Sequence, residues 1–312
     1  MKILIAGGTG LIGQALARNW LEANYQVTIL GRSEAKIHKL YKNKTAILTW
    51  NKLEKSTDIV LSHDLIVNLA GCNIGAQRWT EVRKKEILDS RVNTTKKLAD
   101  ICAQAGAKAP SLFNASGIGI YGIQTPLSEG LPPALGEKTP INYDAAPDFL
   151  AHVSREWEKA TFVAKENGVR VVNMRFGVVL SKEGGALPQL ALPIKFFLGG
   201  KIGPGQQPIS WITLADLIYA IDFVWQLSAI RGPVNFVTPH TVTQNEFVHT
   251  LARIFYRPTF VRTPAFFIKL LLGEMGEALI LNGQNVKPSR LAEHNFNFSY
   301  PELTQALKRI YH

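Results

Sequence analysis

The residues best placed to do chemistry come at once: Gly7, Gly8, Thr9, Gly10, Leu11, Ile12 and Gly13 form an uninterrupted GGTGLIG run. Glycine permits a tight turn with positive φ, lets backbone approach a phosphate, and lets a helix lie closely on a strand. A helix starting directly after such a turn aims unpaired N–H groups at negative charge. The run therefore suits a dinucleotide pyrophosphate, provided that a strand precedes it and a helix follows. Both are expected. Lys2–Ala6 reads as a buried strand, Leu11–Glu22 carries its apolar residues on one helical face, and Gln26–Leu30 reads as the next strand.

The end of that second strand bears on the type of dinucleotide. NAD sites usually place a carboxylate about 20 residues beyond the glycines, where it takes the ribose hydroxyls. Here the residues are Gly31, Arg32 and Ser33. A guanidinium suits a 2′-phosphate through charge-assisted hydrogen bonds, which favours NADP over NAD. Glu34 keeps a looser NAD site open as the alternative, with Arg32 a solvated loop residue.

These residues need a scaffold, and the alternation of short aliphatic runs with longer amphipathic ones supplies one. Further strands are expected at Ala46–Trp50, Leu65–Leu69, Ser111–Ala115 and Val169–Met174, with helices at Glu81–Ala105 and Asp148–Asn167. The fold class is α/β: a Rossmann-type doubly wound parallel sheet with a smaller α/β C-terminal substrate region. Regularity loosens after Gly177, and Gly and Pro cluster between Gly199 and Pro208. The division expected is an NADP-binding domain over 1–177 and a mainly substrate-binding region over 178–312, tightly packed and with chain exchange between them. The second region should hold helices at Leu214–Gln226 and Gln244–Phe255, a strand at Val234–Val237 and an apolar helical stretch at Phe266–Leu281.

Composition narrows the class of function. Of 312 residues, 46% are hydrophobic and 19% charged, which excludes a disordered chain. Thirty-five basic against 24 acidic residues give +11, which suits an anionic ligand, a polyanion or a membrane surface without choosing among them. Zinc-finger, basic-zipper and RNP-like patterns are missing, so nucleic acid is not an expected partner. Cys72 and Cys102 lack the spacing of a zinc site or a disulfide framework, so no metal is expected and a reduced, cytoplasmic setting is. Charges interrupt both long apolar stretches: Lys195 within Leu190–Leu198, and Lys269, Glu274 and Glu277 within Ala265–Leu281. Neither reaches the ~18 apolar residues of a spanning helix. Ala265–Leu281 is expected to pack in the core or against a second subunit rather than on a membrane, because its own charges form no basic face. A homodimer stays open.

Beyond the glycine turn, several blocks recur in a specific order: VNLAG at Val67–Gly71, WTEVRKKEILDSRV at Trp79–Val92, RFGVVLSKEGGAL at Arg175–Leu187, GGKIGPGQQPISWI at Gly199–Ile212, VTQNEF at Val242–Phe247, then LLGEMGEALILNGQNVKPSRL and FSYPEL. On these blocks the chain resembles the atypical branch of the extended short-chain dehydrogenase/reductases, the NAD(P)-dependent epimerase-like 39U family with its characteristic C-terminal region. The resemblance implies that Leu69 and Ala70 run along the cofactor and that Val178 meets its nicotinamide end. It implies a cofactor role for Glu86 and Arg91 too, although residues five apart do not share a helix face. A solvated surface helix describes that stretch about as well. The implied activity is that of an epimerase or reductase acting on a carbonyl or alcohol of a small molecule, nucleotide-linked substrates included.

In that superfamily a Tyr and a Lys four residues later share a helix turn, with a Ser or Thr from the preceding strand end. The lysine and the cofactor ring lower the tyrosine pKa so that its hydroxyl can exchange a proton with the substrate. Here the helix reads DFLAHVSREWEKA, and Leu150 and Ser154 take the two positions. Ser116 matches the substrate-orienting serine, with Gly117 as the competing alignment, and Tyr121 is the accompanying candidate for the missing acid. Tyr143, His152, Arg155 and Glu156 are further substitutes. Trp211 and Asp216, with Gly203, Pro204 and Gly205, should form the far wall of the pocket; Asp216 reads equally as a helix-start residue. The missing pair keeps open a second function: an NADP-binding regulatory protein that turns nothing over.

Overall fold

Strand β1 (Lys2–Ala6) is buried from Ile3 onward and β4 (Leu65–Asn68) along its whole length. Near-continuous burial of this kind belongs to a parallel sheet covered on both faces. The computed structural model describes residues 1–53 and 57–312. With β2 (Gln26–Gly31), β3 (Ala46–Thr49), β5 (Ser111–Gly117) and β6 (Val171–Phe176), these strands build most of the main sheet. The short β7 (Val178–Leu180), β8 (Pro208–Ile209) and β9 (Trp211–Thr213) lie outside it, and β10 (Gly232–Phe236) returns to it. The order is β3-β2-β1-β4-β5-β6-β10, with every neighbouring pair parallel. The order reverses between β1 and β4, and in such sheets ligands bind in the crevice at that reversal.

Two helical layers cover the sheet. On one face Leu16, Ala17 and Trp20 of α1 (Leu11–Glu22) pack with Leu217, Ile221 and Val224 of the Leu214–Gln226 helix. On the other lie Leu98, Ala99 and Cys102 of the Glu81–Ala105 helix. A third core gathers Leu187, Ile194, Trp211, Phe247, Leu251 and Leu307 beneath the C-terminal region. Burying each large side chain contributes about 1.5–3 kcal/mol, so each layer is held by many comparable contacts.

The structure departs from the sequence expectations in two places. The helix expected over Asp148–Asn167 breaks into Phe149–Lys159 and Phe162–Glu166, where the Thr161 hydroxyl donates to the Glu158 carbonyl at 2.7 Å in a local bond that competes with the helical ladder. The stretch expected over Phe266–Leu281 stops at Gly273, whose φ of +60° ends the Ala265–Leu272 helix. No residue of that short helix is buried, so it is no core element; Met275, Gly276 and Leu281 beyond it are buried. β10 and the Leu214–Gln226 helix, both beyond residue 178, belong to the main sheet and its cover.

Candidate functional site

The glycines divide three tasks at the spacing Gly7, Gly10, Gly13. Gly7 has φ +80°, and a Cβ there would lie 2.6 Å from the Leu69 carbonyl oxygen. A Cβ on Gly13 would lie 2.6 Å from the Gly7 oxygen, so that glycine lets α1 press on β1. Gly10 differs, because its nearest neighbour, the Gly7 oxygen, is 3.4 Å from the built Cβ and the remaining space is open. Helix α1 starts at Gly10 with no side-chain cap and no acid in its first turn. Leu11 and Ile12 thus belong to a first turn whose N–H groups can face an anion. The turn is pinned from outside. Gln14 Nε2 donates to the Thr9 carbonyl at 3.0 Å, and the Tyr41 hydroxyl donates to the Gly8 carbonyl at 2.5 Å. Burial pushes the Tyr41 hydroxyl up to about 12. Alongside runs the end of β4, where Leu69 N–H donates to the Ala6 carbonyl at 2.9 Å and Ala70 N–H to Asn68 Oδ1 at 3.2 Å. A cradle that closes where packing needs it and opens at Gly10 fits a pyrophosphate.

At the end of β2, Gly31 backs onto Ile37, and the exposed Arg32 has no acidic partner among the described residues. Ser33 caps α2 (Glu34–Tyr41), accepting from the Lys36 N–H at 3.3 Å. Glu34, the carboxylate that an NAD site would recruit, is paired with Lys52 at 2.5 Å. The local field is therefore positive, a pairing that sequence distance had hidden.

The other residues assigned by resemblance fall in different surroundings. Glu86 is exposed and paired with Arg83 at 2.9 Å. Arg91 donates to the Ile87 and Cys72 carbonyls, both at 3.0 Å, and stacks over Trp157, so it braces the loop after β4. Val178 donates its N–H to the Ser210 carbonyl at 2.9 Å where β7 meets β9.

At the C-terminal end of β5 the relay positions are filled without a relay. Leu150 covers Gly119, and Ser154 Oγ lies 3.6 Å from where a Cβ on Gly117 would stand. Ser154 Oγ has no hydrogen-bond partner among the described residues, whereas Ser116 is committed: its hydroxyl donates to Glu158 Oε1 at 2.8 Å within a buried network. Arg175 donates to both oxygens of the same carboxylate, at 2.8 and 2.9 Å. Tyr143 donates to Glu158 Oε2 at 2.7 Å. Tyr121 accepts from Arg175 at 3.0 Å and donates to Asn235 Oδ1 at 2.9 Å. Burial alone would disfavour the Arg175 charge, but the two-point contact with Glu158 outweighs it and holds the guanidinium protonated. Burial raises the Tyr121 hydroxyl above its ordinary range against the pull of Arg175, and burial with the Glu158 charge raises Tyr143 as well. Neither phenol is shifted toward the tyrosinate that the superfamily's chemistry uses.

The remaining substitutes are engaged elsewhere. His152 is exposed, Glu156 pairs with Lys159 at 3.0 Å, and Arg155 clamps the Ile120, Asn142 and Ala145 carbonyls. Asp216 is fully buried and accepts the Ser299 and Tyr300 N–H groups at 2.8 and 3.1 Å, which ties the C-terminal segment to a helix start. Trp211 is a core residue. Among the described residues no group of three or more His, Cys, Asp or Glu could hold a metal ion.

A parallel sheet reversing beside a glycine turn and an uncapped helix defines a Rossmann-type nucleotide-binding protein. Residues 3–235 match the NAD dependent epimerase/dehydratase family, and residues 263–310 match a domain of unknown function, DUF1731. An epimerase family protein of Staphylococcus haemolyticus is 37% identical over 313 residues, 99% of this chain and 98% of that one. The crystal structure of the human epimerase family protein SDR39U1 with NADPH superposes with a TM-score of 0.85 at 32% identity, covering 99% of both chains. A nucleoside-diphosphate sugar epimerase from Corynebacterium glutamicum gives a TM-score of 0.75 at 29% identity, covering 99% of this chain and 58% of that one. The chain belongs to the NAD dependent epimerase/dehydratase family, in its epimerase family protein branch with the DUF1731 region.

Proposed function

We propose that this chain binds NADP(H) and exchanges hydride with the carbonyl or alcohol of a small, nucleotide-linked molecule. The observation that carries the reading is the open side of Gly10 at an uncapped helix start, with Arg32 free of acids among the described residues while Lys52 occupies Glu34. Gly7, Thr9, Gly10, Leu11, Ile12 and Gly13 would hold the pyrophosphate, Gly31 and Arg32 the 2′-phosphate, and Leu69 and Ala70 the strip behind it. Val178 would meet the nicotinamide end. Arg91 would act by bracing the loop after β4, with Glu86 at the margin of the same helix. NADPH in the human relative and the nucleotide-sugar substrate class named for the Corynebacterium relative support the choice of ligands. Bound NADP(H) supplies or accepts the hydride. On the substrate side, the unpartnered Ser154 hydroxyl would hydrogen-bond the reacting oxygen, and water would take the part of the absent tyrosine in proton exchange.

Leu150 and Ser154 in the Tyr and Lys positions favour one other reading, an NADP-binding regulatory protein without turnover. A panel of aldehydes, ketones and nucleotide sugars, assayed by NADPH oxidation, separates the two. Turnover of at least one class, reduced about tenfold or more by Ser154→Ala, is expected from a lost hydrogen bond to the reacting oxygen. NADPH bound but unoxidised across the panel would favour the regulatory reading.

A further inference from the structure

The Ala265–Leu272 helix, AFFIKLLL, presents its apolar side to solvent. Ile268 and Leu272 lie against Gly276, where a built Cβ would approach them to 2.9 and 2.7 Å. Phe266, Phe267, Leu270 and Leu271 are left on the outer side. Beside the helix, residues 195–203 run along residues 257–265: the Thr263 N–H donates to the Lys201 carbonyl and the Gly203 N–H to the Thr263 carbonyl, both at 2.9 Å. Phe196, Phe197, Leu198 and Phe260 extend the surface along this strip. All eight side chains are at least 46% exposed. Their exposed area is on the order of 1,000 Å², more than the few hundred Å² usual for an apolar patch on a monomer.

Charge identifies what covers it. Residues 186–203 and 253–273 contain Lys195, Lys201, Arg253, Arg257, Arg262 and Lys269, and no Asp or Glu. The Arg257 guanidinium sits 4.5 Å from the ring centre of the exposed Phe197, while Lys195 lies 5.0 Å from the ring centre of Phe255, a half-buried neighbour that packs on the C-terminal core. Lys269 pairs with Glu277 at 2.7 Å; the other five have no acidic partner among the described residues. A second copy seated on this face through a two-fold contact would bring the same basic rim against itself. An anionic bilayer satisfies both features, taking apolar side chains at the acyl boundary and cations at the headgroups. We propose that this face docks on an anionic lipid surface. Among the described residues no helix is long and apolar enough to cross a membrane, so the contact is interfacial. The helix's own charges had argued against a membrane; the basic rim becomes visible only when two distant segments are laid side by side.

The test is co-sedimentation of the full chain with phosphatidylcholine vesicles, with and without phosphatidylglycerol. Binding at least ~10-fold stronger to the anionic vesicles, and falling steeply with added salt, is expected. Leu270→Glu should abolish it and Arg262→Glu should remove most of the preference for phosphatidylglycerol, with melting temperatures unchanged because both side chains are exposed. Should Leu270→Glu fail to fold, Phe196→Ser serves the same purpose from the other segment. Equal pelleting with and without anionic lipid overturns the proposal, and so does wild-type binding by these variants. A dimer in sedimentation equilibrium that Leu270→Glu dissociates, with no vesicle binding, would assign the face to a second copy instead.

Discussion

Glu158 and Arg175 show how far a family resemblance can carry a single residue. Their carboxylate and guanidinium are almost wholly removed from water; both carboxylate oxygens also accept from Ser116 or Tyr143, and the guanidinium's third nitrogen donates to Tyr121. Removing one partner of a buried pair leaves the other charge stranded, so Arg175→Met is expected to destabilise the fold by about 3–5 kcal/mol, read from denaturant unfolding. A loss below about 1 kcal/mol would show the pair to be hydrated. Glu158 and Arg175 lie 17 positions apart on a helix and a strand, and no local pattern could have joined them. The absence of the Tyr–Lys pair was legible, being a matter of residue identity. The commitment of Ser116 was not, because its partner comes from another element. Since both Tyr121 and Tyr143 are raised above their ordinary pKa of about 10, neither ionises near neutrality. Any hydride transfer should therefore show a flat profile of kcat/KM between about pH 6 and 9; an inflection in that window lost in Tyr121→Phe would mean that the phenol takes part.

Among the elements, β1, the glycine turn and α1 were the most legible, because phosphate recognition there is written in consecutive residues. The structure refines the roles: Gly7 and Gly13 serve packing, while Gly10 faces open space. Two substitutions separate these tasks. Gly7→Ala combines positive φ with a collision against Leu69 and should cost about 1–3 kcal/mol of stability. Gly10→Ala, at φ −85°, should melt like wild type yet weaken NADPH binding about tenfold or more, since the added methyl occupies the phosphate's space. Equal melting and equal affinity for both variants would argue against this division. The Ala265–Leu272 helix was the least legible element. Its hydrophobicity implied burial, and only the tertiary arrangement shows Ile268 and Leu272 turned inward with the larger remainder outside.

At the scale of the whole molecule, sequence periodicity conveyed the sheet but not how the chain returns to it. β10 and the Leu214–Gln226 helix complete the nucleotide-binding layers from beyond residue 178, and Asp216 anchors the segment at Ser299 and Tyr300. These are long-range pairings, invisible to any local window. They join the end of the sheet that carries Arg32 and the C-terminal region into one body. Isothermal titration of the purified protein with NADPH and with NADH tests the proposed NADP(H) preference most directly. NADPH should bind at least ~10-fold more tightly, as expected of one charge-assisted, bidentate contact, and Arg32→Glu should erase the difference. Equal affinities for the two cofactors in the wild type, or no heat with NADPH, would contradict it.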